Sequence, residues 1–280
     1  MVYRLPIFLS VSFLFIAAAS VSYQNRSAPA KREVSDALTV KDSGKWRFIQ
    51  KGIEFRKVTL ERPGTNDAVA LKLVRLDNRW VSPHVVSSAQ YQLKGSDVKN
   101  LAARSGAIAM INANYFDEQG RPLGFLKVGT QVINRNVSKS SLFTGIFGID
   151  DDGPFIQHRD DFQPAHAKEA IQSGPLLLSR GTVLEITRGQ GRFSRRALVG
   201  IDKDRRLIIG VTDAIFGGLA WIELQELFST PRWQLETLDL LNLDGGGSAQ
   251  LYVKTNTFEQ FVAGTSDVPV ALGFFVKNAQ

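Results

Sequence analysis

The chain has 280 residues, 44% of them hydrophobic, and no cysteine. That apolar content supports one large packed core or two small ones, and the missing cysteines exclude disulfides, thiolate metal sites and a cysteine nucleophile. The net charge is +7, but residues 59–280 hold only +1 of it: Arg4 charges residues 1–22, and residues 23–58 contain nine Lys or Arg against four Asp or Glu. A nucleic-acid groove needs positive charge on the folded surface, so no nucleic-acid partner is expected.

Residues 1–22 begin with a short basic start and an apolar run from Leu5 to Ala19, followed by small residues. This is the pattern of a secretory signal peptide cut between Ala19 and Tyr23, or of an uncleaved N-terminal anchor. An exported protein is expected, periplasmic or extracellular. Residues 23–45 read as a basic linker, with weak peripheral attraction to anionic envelope surfaces. Residues 46–280 form the expected domain.

Within that domain, "KGIEFRKVTL" and "AVALKLVRLD" alternate apolar and polar residues and predict a hairpin across "ERPGTND". "GSDVKNLAARSG" predicts a short helix with Ser96 as N-cap, Val98, Leu101 and Ala102 on one face, and Gly106 as the stop. "AIAMINANYF" reads as a buried strand. Further strands are expected in "SLFTGIFGID", "SGPLLLSRGTVL", "RRALVGID", "RLIIGVTD", "LETLDLLNLD", "SAQLYV" and "PVALGFFV". "AWIELQELF" has helical spacing, with Ile222, Leu224, Leu227 and Phe228 on one face. "ALKLVRLD", the first helix and "AIAMINANYFD" are echoed by "RLIIGVTD", the second helix and "TLDLLNLDGGG". The echo puts Asn112, Asn114, Asn242 and Asp244 at comparable strand ends that can converge on one cleft.

Several motifs offer chemistry. Alternation sends Asn112 and Asn114 to the face opposite Ile111 and Ala113. Their amides can bind sugar hydroxyls or phosphate oxygens, brace an acid, or satisfy loop backbone. Tyr115 and Phe116 are expected in the core and Asp117 in a turn. Ser173 and Gly174 precede a strand where backbone can approach a ligand. Of the adjacent Arg195 and Arg196, one faces inward, and its forked guanidinium suits phosphate. Asp213 ends a buried strand, and Gly217-Gly218 leads into a helix start suited to an anion. "NLDGGGSAQL" stands out most. Three successive glycines are costly unless backbone must pass something closely, and Asp244 beside them can act as acid, base or cation ligand. A glycine bulge with an Asp-capped turn is the plain alternative. The three histidines lack HExxH spacing, and no GxSxG elbow is present.

In order, "INANYFDEQGRPLG", "SGPLLL", "RRALVGID", "GVTD" and "LNLDGGGSAQL" resemble the phosphodiester glycosidase family over Val58 to Val276. The resemblance implies an α+β fold: a single domain with an extended mixed, largely antiparallel β-sheet core and packed α-helices. It implies a hydrolase that cleaves the glycosidic bond of a sugar-1-phosphodiester in the cell envelope or periplasm, releasing the sugar and leaving a phosphomonoester, with a sugar-1-phosphodiester or envelope glycan as partner. By motif it carries over Asn112, Asn114, Ser173, Arg196, Asp213, Asp244, Gly245, Gly246 and Ser248. The expected roles are Asp244 as base or nucleophile, Asp213 as second carboxyl, Arg196 and glycine N–H groups on the phosphate, and the asparagines on the sugar. Ser266 and Asp267 stand where the family often has an arginine. No cofactor is required in this reading, though a divalent cation such as calcium is compatible with it. A non-catalytic envelope protein that binds glycan or protein on the same fold is the alternative.

Overall fold

The computed structural model describes residues 39–61, 68–214 and 217–277. The signal-peptide segment and most of the "ERPGTND" turn lie outside them. Thr39–Asp42, inside the expected linker, is a strand paired with Ile53–Glu61.

Alternation produces the predicted hairpin. Ile53–Glu61 and Ala68–Leu76 pair antiparallel, placing Ile53 opposite Leu76 and Leu60 opposite Val69. They belong to a nine-stranded sheet that continues through Leu207–Asp213, Ala197–Asp202, Thr237–Asn242, Leu176–Ser179 and Thr182–Val183. A five-stranded sheet has the order Pro154–His158, Gly145–Ile149, Glu169–Ser173, Leu126–Val128, Gln131–Asn134. A second five-stranded sheet runs Glu259–Val262, Leu251–Lys254, Ala109–Asn112, Val270–Val276, Val81–Ser87. Every pairing among the described strands is antiparallel. The fold is α+β with modest helix content.

Alternation also divides the core. Val199, Ile209 and Leu241 of the large sheet meet Phe147 and Ile171 of one small sheet and Ile111 and Leu272 of the other. Leu198, Ile208 and Leu240 point the opposite way, onto Leu224, Leu227 and Phe228 of helix Trp221–Ser229. The large sheet is thus buried on both faces, which explains its nearly unbroken apolar strands. Ile222 of that helix is only half-buried. The buried positions between the apolar ones are Glu223 and Gln225, and the Gln225 amide donates to the Leu177 and Leu184 carbonyls.

Helix Val98–Ser105 buries Val98, Leu101 and Ala102 as expected, and Gly106 ends it at φ 81°. Its N-cap is Asp97 rather than Ser96: the Asp97 carboxylate accepts the Asn100 N–H at 2.8 Å, while Ser96 Oγ accepts from the Asn100 side chain. An acid beside the exposed N–H groups also favours the helix dipole.

The internal echo is present with a different first strand. Val81–Ser87, the first helix and Ala109–Asn112 flank Val270–Val276 in one sheet. Leu207–Asp213, the second helix and Thr237–Asn242 flank Ala197–Asp202 in another. "ALKLVRLD" belongs instead to the large-sheet hairpin.

Candidate active site

One strand from each sheet ends at the same place: Ala109–Asn112, Glu169–Ser173 and Thr237–Asn242. Backbone and side chains tie these ends together. The Asp244 N–H donates to Ala113 O at 2.9 Å, and Asn112 Nδ2 donates to Asp244 O at 2.7 Å. Asn112 Oδ1 accepts the Gln250 N–H. Asn242 Nδ2 reaches the Gly174 carbonyl at 2.8 Å and the Tyr115 hydroxyl at 3.1 Å, and that hydroxyl also donates to Gly174 O.

Above the junction opens a cavity of about 640 Å³ lined by Asp244, Gly245, Gly246, Arg196 and Tyr115, with Trp221 on one wall. The Asp244 carboxylate accepts hydrogen bonds from the Ser248 hydroxyl and the Gly245 N–H. Burial outweighs these and pushes its pKa up to about 6. Burial and the nearby Asp244 charge together push the Tyr115 hydroxyl far up, so it stays protonated.

Arg196 is the inward-facing arginine of the adjacent pair, 5% exposed. Carbonyls hold it: Nε donates to Leu219 O at 2.8 Å, Nη2 to Arg192 O, and its guanidinium lies 4.6 Å from the Trp221 ring centroid. Burial lowers its pKa to about 10, which leaves it cationic at neutral pH. Arg195 turns away and clamps the Ala249 and Ala263 carbonyls. Arg159, Arg188 and Arg192 add positive charge around the cavity, against the acids Asp244 and Glu185.

The glycine run now has separate reasons. Gly245 passes so near the Arg195 carbonyl that a methyl there would sit 2.7 Å from its oxygen. Gly246 adopts φ +58°, the left-handed region that side chains disfavour. Their N–H groups already have acceptors, because Gly246 N donates to Arg195 O and Gly245 N to the Asp244 carboxylate. These two N–H groups are thus engaged within the protein, where Gly245 and Gly246 shape the wall and Gly245 orients the acid.

Other expected residues also move. Asp213 does not line the cavity; it ends its strand half-exposed, in a 2.6 Å ion pair with Lys72. Asn112, Asn114, Ser173, Gly174 and Ser248 sit beneath the cavity lining rather than in it. Asn112 braces the backbone that carries Asp244, and Ser248 bonds the carboxylate itself. Asn114 donates to Tyr115 O. The oxygens Asn114 Oδ1 and Ser173 Oγ are buried without a protein partner. Gly174 is required by the chain and not by a ligand, since a methyl there would collide with the Leu142 carbonyl oxygen.

A scan against family models matches residues 105–276 to phosphodiester glycosidase. The chain belongs to the phosphodiester glycosidase family. No curated protein matches it by sequence. Among solved structures, the catalytic domain of zebrafish N-acetylglucosamine-1-phosphodiester alpha-N-acetylglucosaminidase, auto-inhibited by its pro-peptide, is similar at 19% identity and a TM-score of 0.60, covering 89% of this chain and 87% of that one. A hypothetical protein from Synechocystis is similar at 15% identity and a TM-score of 0.57, covering 81% of this chain and 63% of that one. Likeness at such identities concerns the fold alone.

In this phosphodiester glycosidase family member, sequence reasoning missed Tyr115, His158, Arg159 and the 184–189 segment of the cavity wall. Extending the strand pattern puts Tyr115 in the core. The strand ends at Asn112, so alternation no longer governs position 115. His158 has one available signal: it ends an apolar–polar strand directly before "RDD".

Proposed function

We propose that this chain hydrolyses the glycosidic bond of a sugar-1-phosphodiester in the cavity beside Asp244. The observation carrying the reading is a carboxyl tuned to about 6 within the same cavity as a carbonyl-anchored arginine, in a chain of this hydrolase family. A base with that pKa is ionised at neutral pH yet still takes a proton effectively. Asp244 removes a proton from water as its oxygen attacks the anomeric carbon. The bond from that carbon to the phosphate oxygen breaks, and the phosphate leaves as a monoester. Phosphate is a good leaving group, so the chemistry proceeds without Asp213 as a partner acid. Arg196, aided by Arg192 and Arg188 at the rim, binds the phosphate and draws anionic substrate inward.

No cofactor is required in this proposal. The neighbours of the Asp244 carboxylate are a hydroxyl and an N–H rather than further carboxylates. That donor set suits proton transfer better than calcium, which takes about 6–8 oxygen ligands. Activity retained in a chelator is expected. Export to the periplasm or beyond is part of the same proposal, resting on the N-terminal pattern, and N-terminal sequencing of the mature protein tests it.

The central experiment is a panel of sugar-1-phosphodiesters, scored for released sugar and phosphomonoester. Asp244→Asn should abolish turnover while the protein stays folded. Turnover equal to the parent in that variant would remove Asp244 from the chemistry. Binding across the panel without release would favour the non-catalytic alternative. NMR of the first-formed anomer should show inversion, since water attacks directly; retention would make Asp244 a nucleophile.

A further inference from the structure

A second cavity, of about 610 Å³, adjoins the first, and His158 lines both. Ile156, Gln157 and His158 are three consecutive strand residues, and all three line it. Neighbouring strand residues point to opposite faces, so a cavity touching three in a row wraps the strand's edge. Among the described strands, Pro154–His158 is indeed an edge strand, paired only with Gly145–Ile149. The other wall brings Arg180 from the end of one large-sheet strand, Asp239 from another and Arg205 from a turn. The Arg180 N–H donates to Asp239 Oδ1 at 2.8 Å, which fixes that wall.

The lining chemistry restricts the occupant. Gln157, His158, Arg180 and Arg205 supply donors, and Asp161 and Asp239 supply acceptors. No Phe, Tyr or Trp lines this cavity to stack a nucleobase. Two carboxylates oppose a further phosphate, and a lipid tail would meet charge on most sides. Sugar hydroxyls both donate and accept, and suit such a mixture. The volume falls within the range of about 300–1,000 Å³ usual for ligand sites.

Position then decides which end of the substrate lies there. The arginines assigned to phosphate, Arg188, Arg192 and Arg196, lie on the wall shared with Trp221 and Gly189. His158 enters instead from the edge strand of a different sheet, and it lines both cavities. With the phosphate held by those arginines, and with the Arg159 guanidinium beside His158 already donating to the Ser138 and Phe143 carbonyls, the His158 end of the first cavity is left for the sugar side of the scissile bond.

We propose that the second cavity holds further sugar units attached to the sugar that is cleaved from phosphate, so that the protein releases an oligosaccharide from an oligosaccharyl-1-phosphodiester. This rests on the hydrolytic reading above. The reaction is unchanged: water adds to the anomeric carbon, the phosphate leaves as a monoester, and the released sugar carries its extra units with it.

The test compares methyl phosphodiesters of one sugar and of the matching linear trisaccharide, in glucose, mannose and N-acetylglucosamine series, with the full chain as enzyme. The expected result is a kcat/KM at least about tenfold higher for one trisaccharide than for its monosaccharide, as one or two charge-assisted hydrogen bonds would give. Arg180→Ala and Gln157→Ala should each lower that preference severalfold, and circular dichroism should show both variants folded. Arg180 is exposed and Gln157 half-buried, and two independent variants guard against one misfolding. Equal kcat/KM for both lengths, or a preference that neither variant changes, overturns the inference and leaves the hydrolase standing. Cleavage of no diester overturns both.

Discussion

The raised pKa of Asp244 has a consequence that needs no substrate to measure. The carboxyl sits at about 6 in the folded protein, against an ordinary 3.8. The native state therefore keeps a proton that the unfolded chain has released between those values. Stability must fall as pH rises through that window and level off above about pH 6. Each tenfold change in acidity is worth about 1.4 kcal/mol, so the full effect is about 3 kcal/mol. Asp244→Asn does not titrate, and its amide oxygen still accepts from Gly245 N–H and Ser248. Relative to the parent, the variant should gain about 2.4 kcal/mol of stability between pH 4 and pH 7, the rest of the effect lying below pH 4. For a body of this size, 1 kcal/mol shifts Tm by about 2–4 °C. The Tm difference should thus grow by about 5–10 °C, read by scanning calorimetry at pH 4, 5, 6 and 7 in constant ionic strength. All other titrating groups cancel in the difference. A difference that stays flat with pH would mean that Asp244 is not desolvated, and the argument for it as a tuned base would fail.

Three further outcomes are expected. Gly245→Ala should cost more stability than Gly246→Ala, because the first drives a methyl towards the Arg195 carbonyl while the second meets open space and only the left-handed penalty of about 1–2 kcal/mol; urea unfolding ranks them, and the reverse order would refute the packing account. Tyr115→Phe should destabilise by about 0.5–1.5 kcal/mol, since the hydroxyl's bonds to the Gly174 carbonyl and from the Asn242 amide are lost while those two groups stay paired with each other; an unchanged unfolding midpoint would show that the hydroxyl is dispensable. His84 Nδ1 lies 2.9 Å from Glu169, whose hydrogen bond raises the histidine's pKa. The stability from that pair is present below pH 6.5 and fades as pH rises through the folded value, so Glu169→Gln should lower Tm more at pH 5.5 than at pH 8.5.

Much of the strand content was legible because alternation and punctuation are local properties. Ile53–Glu61, Ala68–Leu76 and the Gly106 helix stop follow from neighbours in sequence. Asp244, Arg196, Gly245 and Gly246 were legible as cavity residues for a different reason: an acid, a paired arginine and a glycine run are each expensive without a purpose. Asp213 looked similar in sequence, but its fate depended on Lys72, a residue on a strand paired with its own. No pattern around Asp213 contains that information. The asparagines show the same limit. Their burial was readable, yet whether an amide meets ligand or backbone depends on what lies across the sheet junction. The second cavity beside His158 was invisible, because it arises where an edge strand of one sheet faces strand ends of another.

The meeting of three strand ends, one from each sheet, sets how this protein should fail. Asp244 is held by Asn112 from one sheet and follows a strand of another, with Tyr115 and Gly174 locking the third to both. A small slip between sheets displaces Asp244 from its cavity before any sheet loses its own ladder of hydrogen bonds. Loss of the proposed activity on heating should therefore precede melting, and core substitutions at Ile111, Phe147 or Val199, well outside the cavity lining, should lower that proposed activity first and stability only later.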